Sequence, residues 1–322
     1  MRVLVTGASG MLGTALTKEL SQFSEHTSGV SRSFNKFQDL RDKKWLNDYI
    51  RPWAAANNTY TCVYHLAAHV GGVKANARDV SDFYQNNIEI NSNLLSVCEK
   101  HRVAKVVSVL STCVYPDTPY VTLPLTEDQL HLGPPHPSNF GYAYAKRMLD
   151  VQTRAIRKQH GLPYITVIPN NLFGEGDNFH LEDGHVIPAL IRRIHEAKMS
   201  DAPYVTVWGD GSPLREFTYA HDAARILRVV AEEYDDDLPV NIGCTEERSI
   251  RDVAETLREA LGYKGDIVYD VTKPMGQYRK PSSNRRLIEL TSWKESDYTP
   301  FETAIRNTCD WFLLKYPNIR GI

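Results

Sequence analysis

The chain has 322 residues, 42% of them hydrophobic, and its 37 basic and 39 acidic side chains leave a formal charge of −2. That length lies between one oversized domain and two ordinary ones, so two lobes are expected. The interspersed charges form no basic stripe for nucleic acid or an anionic membrane, and no apolar run approaches the ~20 residues of a membrane span, which leaves a small molecule as the expected partner.

The chain opens with RVLVTG, a short apolar run broken by glycine, and continues into TALTKEL, which has helical character. Strand, turn and helix follow from that order. Met1 leads almost directly into VLV, so no signal peptide is expected and a cytoplasmic protein is. Between strand and helix, VTGASGMLG spaces Gly7, Gly10 and Gly13 as G-x-x-G-x-x-G, with Ala8, Ser9, Met11 and Leu12 between them. Glycines there let the backbone approach a pyrophosphate, whose charge meets the free N–H groups of the helix start. A dinucleotide site is expected.

The stretch SGVSRSFNKFQDLRD follows, where a second strand ends. Sites that prefer NAD carry an acid at that point. Here Arg32 stands first, with Lys36 and Arg41 as further cations, and no acid comes before Asp39. A guanidinium suits a 2′-phosphate, so NADP is the expected cofactor. Asp39 and Leu40 lie where an adenine contact is expected, although a simple turn explains them equally well.

VYHLAA (63–68) and KVVSVLS (105–111) are two more apolar runs, separated by a helix over 88–102 with Ile88, Asn91, Leu94, Leu95 and Cys98 on one side. Continuous apolar strands alternating with helices mark a parallel sheet covered on both faces. The next helix begins near Tyr142 in SNFGYAYAKRML (138–149), and YITVIPNNLFG (164–174) reads as one further strand ending in a polar elbow.

Beyond it the pattern becomes mixed. VIPALIRRIHEAK is helical and YVTVWG a short strand; 217–234 reads as a helix returning to the first lobe; 249–262 is a helix with Ser249 as its N-cap and Gly262 as its stop. The expected fold is α/β: a Rossmann-type doubly wound parallel sheet over 1–172, with a return segment at about 217–245, and a smaller mixed α/β C-terminal lobe over 173–322. The ligand belongs in the cleft above the strand ends. Cys62, Cys98, Cys113, Cys244 and Cys309 are scattered, with no C-x-x-C pair and no His at metal-like spacing, so free thiols and no metal are expected.

Side chains four apart on a helix lie one above the other, whereas those two apart diverge. Tyr142 therefore meets Lys146 and Tyr144 does not. A phenol beside an ammonium in a nucleotide-binding lobe suits proton transfer at a carbonyl, since the cation favours the phenolate. Ser111, at the end of the preceding strand, can hydrogen-bond the same oxygen, and Lys146 can also hold the nicotinamide ribose.

The blocks VTGASGMLG, HLAAHVGGV, LSTCVYP, FGYAYAKRMLD, VIPNNLFGEGDNFHLEDGHVIPALIRR and VWGDGSPLREF cover nearly the whole chain in one order. In them the sequence resembles the extended short-chain dehydrogenase/reductases, and among these the epimerase-reductases that turn GDP-4-keto-6-deoxy-D-mannose into GDP-L-fucose. The resemblance implies epimerisation at C3 and C5 followed by NADPH-dependent reduction at C4. It implies Ser111, Tyr142 and Lys146 as the carbonyl triad, Cys113 as the base and His185 as the acid of epimerisation. It gives NADP the glycine loop, Val109, Leu110, Ser111 and Thr112, Lys146, Pro169, Asn170, Asn171 and Leu172, and His185. It gives the GDP-sugar Asn171, Arg193, Trp208, Arg215 and Lys280, with Asn178 and His180 shaping the cleft. Met275 stands where the family commonly carries an acid, so one polar substrate contact is not expected here. Members usually pair through helices of the first lobe, which implies a homodimer through 88–102 and 142–160. The other readings are a sister sugar-nucleotide epimerase, a dehydratase, for which Cys113 stands where an acid is needed, and a non-catalytic NADP sensor.

Overall fold

Strands of the main sheet form where the sequence is apolar on both faces. RVLVT, TCVYH, KVVSV and ITVIP are buried almost throughout. The computed structural model describes residues 2–54, 61–273 and 277–322. In chain order residues 2–169 contain β1 (Arg2–Thr6), α1 (Met11–Leu20), β2 (His26–Val30), α2 (Lys43–Ala54), β3 (Thr61–His65), α3 (Val73–Arg78), α4 (Val80–Lys100), β4 (Lys105–Val109), α5 (Phe140–His160) and β5 (Ile165–Pro169). There follow β6 (Asn171–Phe173), α6 (Val186–Met199), β7 (Tyr204–Trp208), β8 (Leu214–Tyr219), α7 (Ala220–Glu233), β9 (Val240–Ile242), β10 (Glu247–Ser249), α8 (Ile250–Leu261), β11 (Asp266–Asp270), α9 (Arg285–Leu290) and α10 (Phe301–Lys315).

Six strands form one sheet in the order β2-β1-β3-β4-β5-β9, every pairing parallel. The chain leaves β1 toward β2 and returns on its other side at β3, so the order reverses between β1 and β3, where a doubly wound sheet opens a crevice. One apolar cluster packs α1 and α7 on one face (Leu16, Leu20, Leu227, Val230), and a second packs α2, α4 and α5 on the other (Leu46, Leu94, Leu95, Leu149). Each such side chain, fully buried, is worth about 1.5–3 kcal/mol. α4 and α5 touch so closely at Gly141 that a Cβ there would lie 2.2 Å from the Val80 carbonyl oxygen.

A three-stranded sheet (β10-β8-β6) and a two-stranded one (β11-β7) share a third cluster with α6, α8 and α10. α8 starts from the expected Ser249, in a reciprocal capping box with Asp252, and stops at Gly262 in the left-handed region, φ +62°.

Three expected elements differ. Residues 164–174 are two strands in two sheets, β5 and β6, separated at Asn170. The start of the 217–234 helix is strand instead: Phe217, Thr218 and Tyr219 pair in parallel with Asn171, Leu172 and Phe173, and the helix begins at Ala220. Pairing with β6 overrides the helical period running back from ALA-rich AARILRVV. The helix expected over 88–102 begins earlier, at Val80. Among the described residues no helix is long and apolar enough to cross a membrane, and all five cysteines are free.

Candidate active site

The C-terminal ends of β1, β3 and β4 converge on the crevice. Gly7 has φ +69°, and a Cβ there would lie 2.8 Å from the Ala67 nitrogen; at Gly13 it would lie 2.2 Å from the Gly7 carbonyl oxygen. Only glycine fits either place. Gly10 caps α1 without a side-chain hydrogen bond, leaving the helix start open, with Met11 and Leu12 in its first turn, while Ala8 packs into the core and Ser9 Oγ meets Ser31 Oγ at 2.5 Å. Arg32 is largely exposed and only 3.8 Å from Asp39 at its nearest. Arg41 grips that Asp39 carboxylate through Nε and Nη2 at 3.0 and 2.7 Å and holds its pKa below the usual carboxylate value. Leu40 is buried in the second cluster.

At the end of β4 the Lys146 ammonium, 2% exposed, donates to the Val109 carbonyl at 2.8 Å, and burial pushes it down to about 8. Leu110 N–H donates to Val167 O, tying that strand end to β5. One helical turn before Lys146, the Tyr142 ring lies edge-on to Phe83, which stacks on His69. Burial pushes the Tyr142 phenol up, with the neighbouring Cys113 adding to it. This differs from the expectation that the ammonium draws the phenol down: desolvation of a phenolate dominates, and Lys146 is not among the groups that act on it. Tyr142 thus holds its proton at neutral pH and stands as a donor.

Ser111 caps a single 3-10 turn, Thr112–Val114, its Oγ accepting from Cys113 N–H at 3.3 Å. That turn sets Cys113, partly exposed, within electrostatic reach of both Tyr142 and Lys280. It is held from below by Arg147, whose Nε donates to Val114 O at 2.6 Å and Nη1 to Gly133 O at 2.7 Å.

Pro169 closes β5, and Asn170 crosses between sheets with Nδ2 donating to Cys244 O and Oδ1 accepting from Thr218 Oγ1. Asn171 Nδ2 donates to Glu216 O, and Leu172 pairs with Thr218. His185 starts α6 with an exposed imidazole not used as a cap. The loop before it is pinned to the start of α3 by Gly72 N–H donating to Asp183 O at 3.2 Å. Asn178 and His180 fold that loop: Asn178 Oδ1 accepts from His180 N–H, and His180 Nδ1 from the N–H groups of Glu182 and Asp183.

The cations on the far side of the cleft use backbone partners or none. Arg193 Nη1 donates to Thr206 O at 3.0 Å. Arg215 donates to Leu214 O at 2.7 Å and Gln277 O at 2.6 Å, closing on the 277–283 strap. Lys280, on that strap, has no hydrogen-bond or ion-pair partner among the described residues; burial pushes its pKa down, Cys113 and Asp117 draw it up, and Arg147 and Arg215 oppose them. Ser282 fixes the strap by donating from N–H and Oγ to the buried Glu216 carboxylate at 2.8 and 2.6 Å. Trp208 is 44% exposed, with the Lys74 ammonium 4.3 Å over its ring. Met275 lies outside the described residues.

Sequence reasoning missed Lys74, Arg147 and Glu216. None carries a motif signal: each acquires its place through burial or a contact distant in sequence. A separate cavity of about 370 Å³, walled by Phe173, Phe217, Tyr219, Arg248, Tyr298 and Phe301, shares none of the expected site residues. Among the described residues no cluster of metal-ligating side chains occurs.

A glycine loop on a parallel sheet, with a Tyr–Lys pair at a neighbouring strand end, defines a dinucleotide-dependent enzyme that works on carbonyls. In agreement, residues 3–243 match the NAD dependent epimerase/dehydratase family. The chain is 39% identical to a GDP-L-fucose synthase of Dictyostelium discoideum over 99% of its own length and 97% of that protein's, and 34% identical to one of Escherichia coli over 99% of each. A crystal structure of a GDP-L-fucose synthetase from Naegleria fowleri bound to NADP superposes with a TM-score of 0.88 at 38% identity, covering 99% of this chain and 94% of that one. The chain belongs to the NAD dependent epimerase/dehydratase family and, within it, to the GDP-L-fucose synthases.

Proposed function

We propose that this enzyme converts GDP-4-keto-6-deoxy-D-mannose to GDP-L-fucose, inverting C3 and C5 and then reducing C4 with NADPH. The observation that carries the reading is the gathering at one strand end of the Tyr142 phenol, the buried Lys146 ammonium and the Ser111–Cys113 turn. The glycine cradle, the open start of α1 and the exposed Arg32 fit an NADP pyrophosphate and 2′-phosphate. When bound, NADPH supplies hydride to C4.

The chain's own residues handle protons. A carbonyl makes its alpha protons acidic when its oxygen is polarised, which falls to Ser111 and Tyr142. Cys113 removes a proton from C3 and C5, and His185 returns one on the opposite face. In the reduction, Tyr142 gives its proton to O4, and Lys146 holds the nicotinamide ribose. Arg193, Arg215 and Lys280 receive the diphosphate and Trp208 flanks the base or sugar; planar guanidinium forks suit phosphate oxygens. Residues 1–172 with 217–245 act as the cofactor lobe and 173–322 as the substrate lobe.

Two copies pair through α4 and α5, where Tyr84, Met148 and Val151 are exposed. The free thiols suit the reducing cytoplasm, to which we assign the enzyme. Mixing the protein with NADPH and the 4-keto-6-deoxy sugar nucleotide tests the function by absorbance: NADPH is oxidised stoichiometrically with sugar. Binding without oxidation would leave a sensor, and sugar turnover with NADPH unconsumed a redox-neutral epimerase.

A further inference from the structure

Beneath the Ser111–Cys113 turn lies a buried cation that stability alone does not explain. Arg147 is 5% exposed, and among the described residues no carboxylate pairs with it. The Tyr144 ring, 5.5 Å from its Cζ, is the aromatic group beside it. A guanidinium stays charged at every working pH, and buried charges are normally paired. Its Nη2 is buried without a hydrogen-bond partner, while Nε donates to Val114 O at 2.6 Å and Nη1 to Gly133 O at 2.7 Å, both short for N–H···O bonds.

Those two carbonyls stand on the outgoing and returning arms of one loop. The chain leaves β4 and closes its 3-10 turn by Val114 N–H donating to Ser111 O at 3.0 Å and Tyr115 N–H to Thr112 O at 3.2 Å. Further out the arms already pair, with Pro116 bridging Pro135 and Asp117 N–H donating to Pro134 O. At the inner end the guanidinium joins them. It ties the residue after Cys113 to Gly133, and both to α5, one position along from Lys146. The other end of the turn is fixed by the sheet, where Leu110 N–H donates to Val167 O. Ser111 thus hangs from the strand and Cys113 from the arginine.

We infer that Arg147 is a positioning residue for epimerisation: its two bonds hold the turn so that the Cys113 thiol meets the sugar ring in the direction proton removal requires. The inference rests on the proposed role of Cys113. Transfer of a proton from carbon demands close and aligned contact, so a shift of the turn by about 1 Å is felt as a rate. One helix then sets both groups of reacting side chains, Tyr142 and Lys146 directly and Cys113 through the carbonyl of its neighbour. Arg147 itself touches no substrate and neither takes nor gives a proton.

Arg147→Met keeps an apolar stem and removes both bonds; Arg147→Lys keeps the charge but cannot present two fixed donors to two carbonyls. Three readouts decide the matter: solvent deuterium incorporation at C3 and C5, reduction of a sugar nucleotide already inverted at both carbons, and NADPH affinity. In Arg147→Met isotope incorporation is expected to fall about ten- to a hundred-fold. Reduction falls less than about threefold and NADPH affinity stays within about twofold, since neither depends on Cys113. Arg147→Lys is expected to lie between the parent and Arg147→Met in exchange. In a Cys113→Ser background, adding Arg147→Met costs less than about twofold further, because the two act as one unit. Unchanged incorporation in Arg147→Met, or an equal fall in all three readouts, would overturn the inference. Should Arg147→Met not fold, the same comparison in Arg147→Lys decides it, with equal falls again overturning it. Full incorporation in Cys113→Ser alone would instead remove the assignment of Cys113, so the two failures are distinct.

Discussion

Lys146 is buried and Lys280 half-buried beside one cleft, and their settings differ in kind. Lys146 sits on the 21-residue α5 and donates to the carbonyl that ends β4. Lys280 rides an irregular strap, held at Ser282 by Glu216, and its ammonium has no partner among the described residues. Arg215 beside it already spends two of its nitrogens on backbone carbonyls. The strand-end region is complete before any ligand arrives, whereas the strap region concentrates positive charge that an anion would complete. On the proposed reading, chemistry that needs fixed geometry sits on the sheet and α5, and recognition of a flexible diphosphate sits on the strap.

Tyr142→Phe breaks the strand-end region most severely. Loss of the phenolic proton is expected to lower the reduction rate by about 10²–10⁴, the usual worth of a positioned acid, with NADPH affinity preserved. Unchanged NADPH oxidation would defeat the assignment. Cys113→Ser comes next: deuterium incorporation at C3 and C5 falls by about 10², because a hydroxyl is a far weaker proton acceptor than a thiolate, while cofactor binding holds. Isotope exchange at the parent rate would refute the base.

On the strap side, Arg215→Lys keeps the charge and loses the fork. KM for the sugar nucleotide is expected to rise about tenfold with little change in kcat, the signature of lost uniform binding; a fall in kcat at constant KM would place Arg215 with the chemistry instead. The smallest effect is a pH limb. Lys146, pushed down to about 8 by burial, loses its charge as pH rises through that value, so kcat/KM of the free enzyme declines on the alkaline side. Stability moves oppositely: from about 8 up to the ordinary 10.5, the unfolded chain binds a proton that the folded one has released, so this group's contribution rises with pH. Lys146→Arg is expected to shift the activity limb upward, and an unmoved limb would assign it to another group.

The main sheet was legible because parallel strands buried on both faces read as unbroken apolar runs. The division at Asn170 was not: β5 and β6 are contiguous in sequence, and they part because β5 pairs with β9 and β6 with β8, with Asn170 bonded to Cys244 and Thr218 at the crossing. The Tyr142–Lys146 pair follows from helical spacing alone. Cys113 and His185 became candidates only by resemblance, since a lone thiol or imidazole carries no period. Arg147 and Lys74 depended on burial and on contacts distant in sequence, which no local pattern encodes.

The most direct test of the account is NMR identification of the sugar nucleotide formed from GDP-4-keto-6-deoxy-D-mannose and NADPH in deuterated water. The account predicts GDP-L-fucose with deuterium at both C3 and C5. A product reduced at C4 with the original configuration and protons at C3 and C5 would contradict it.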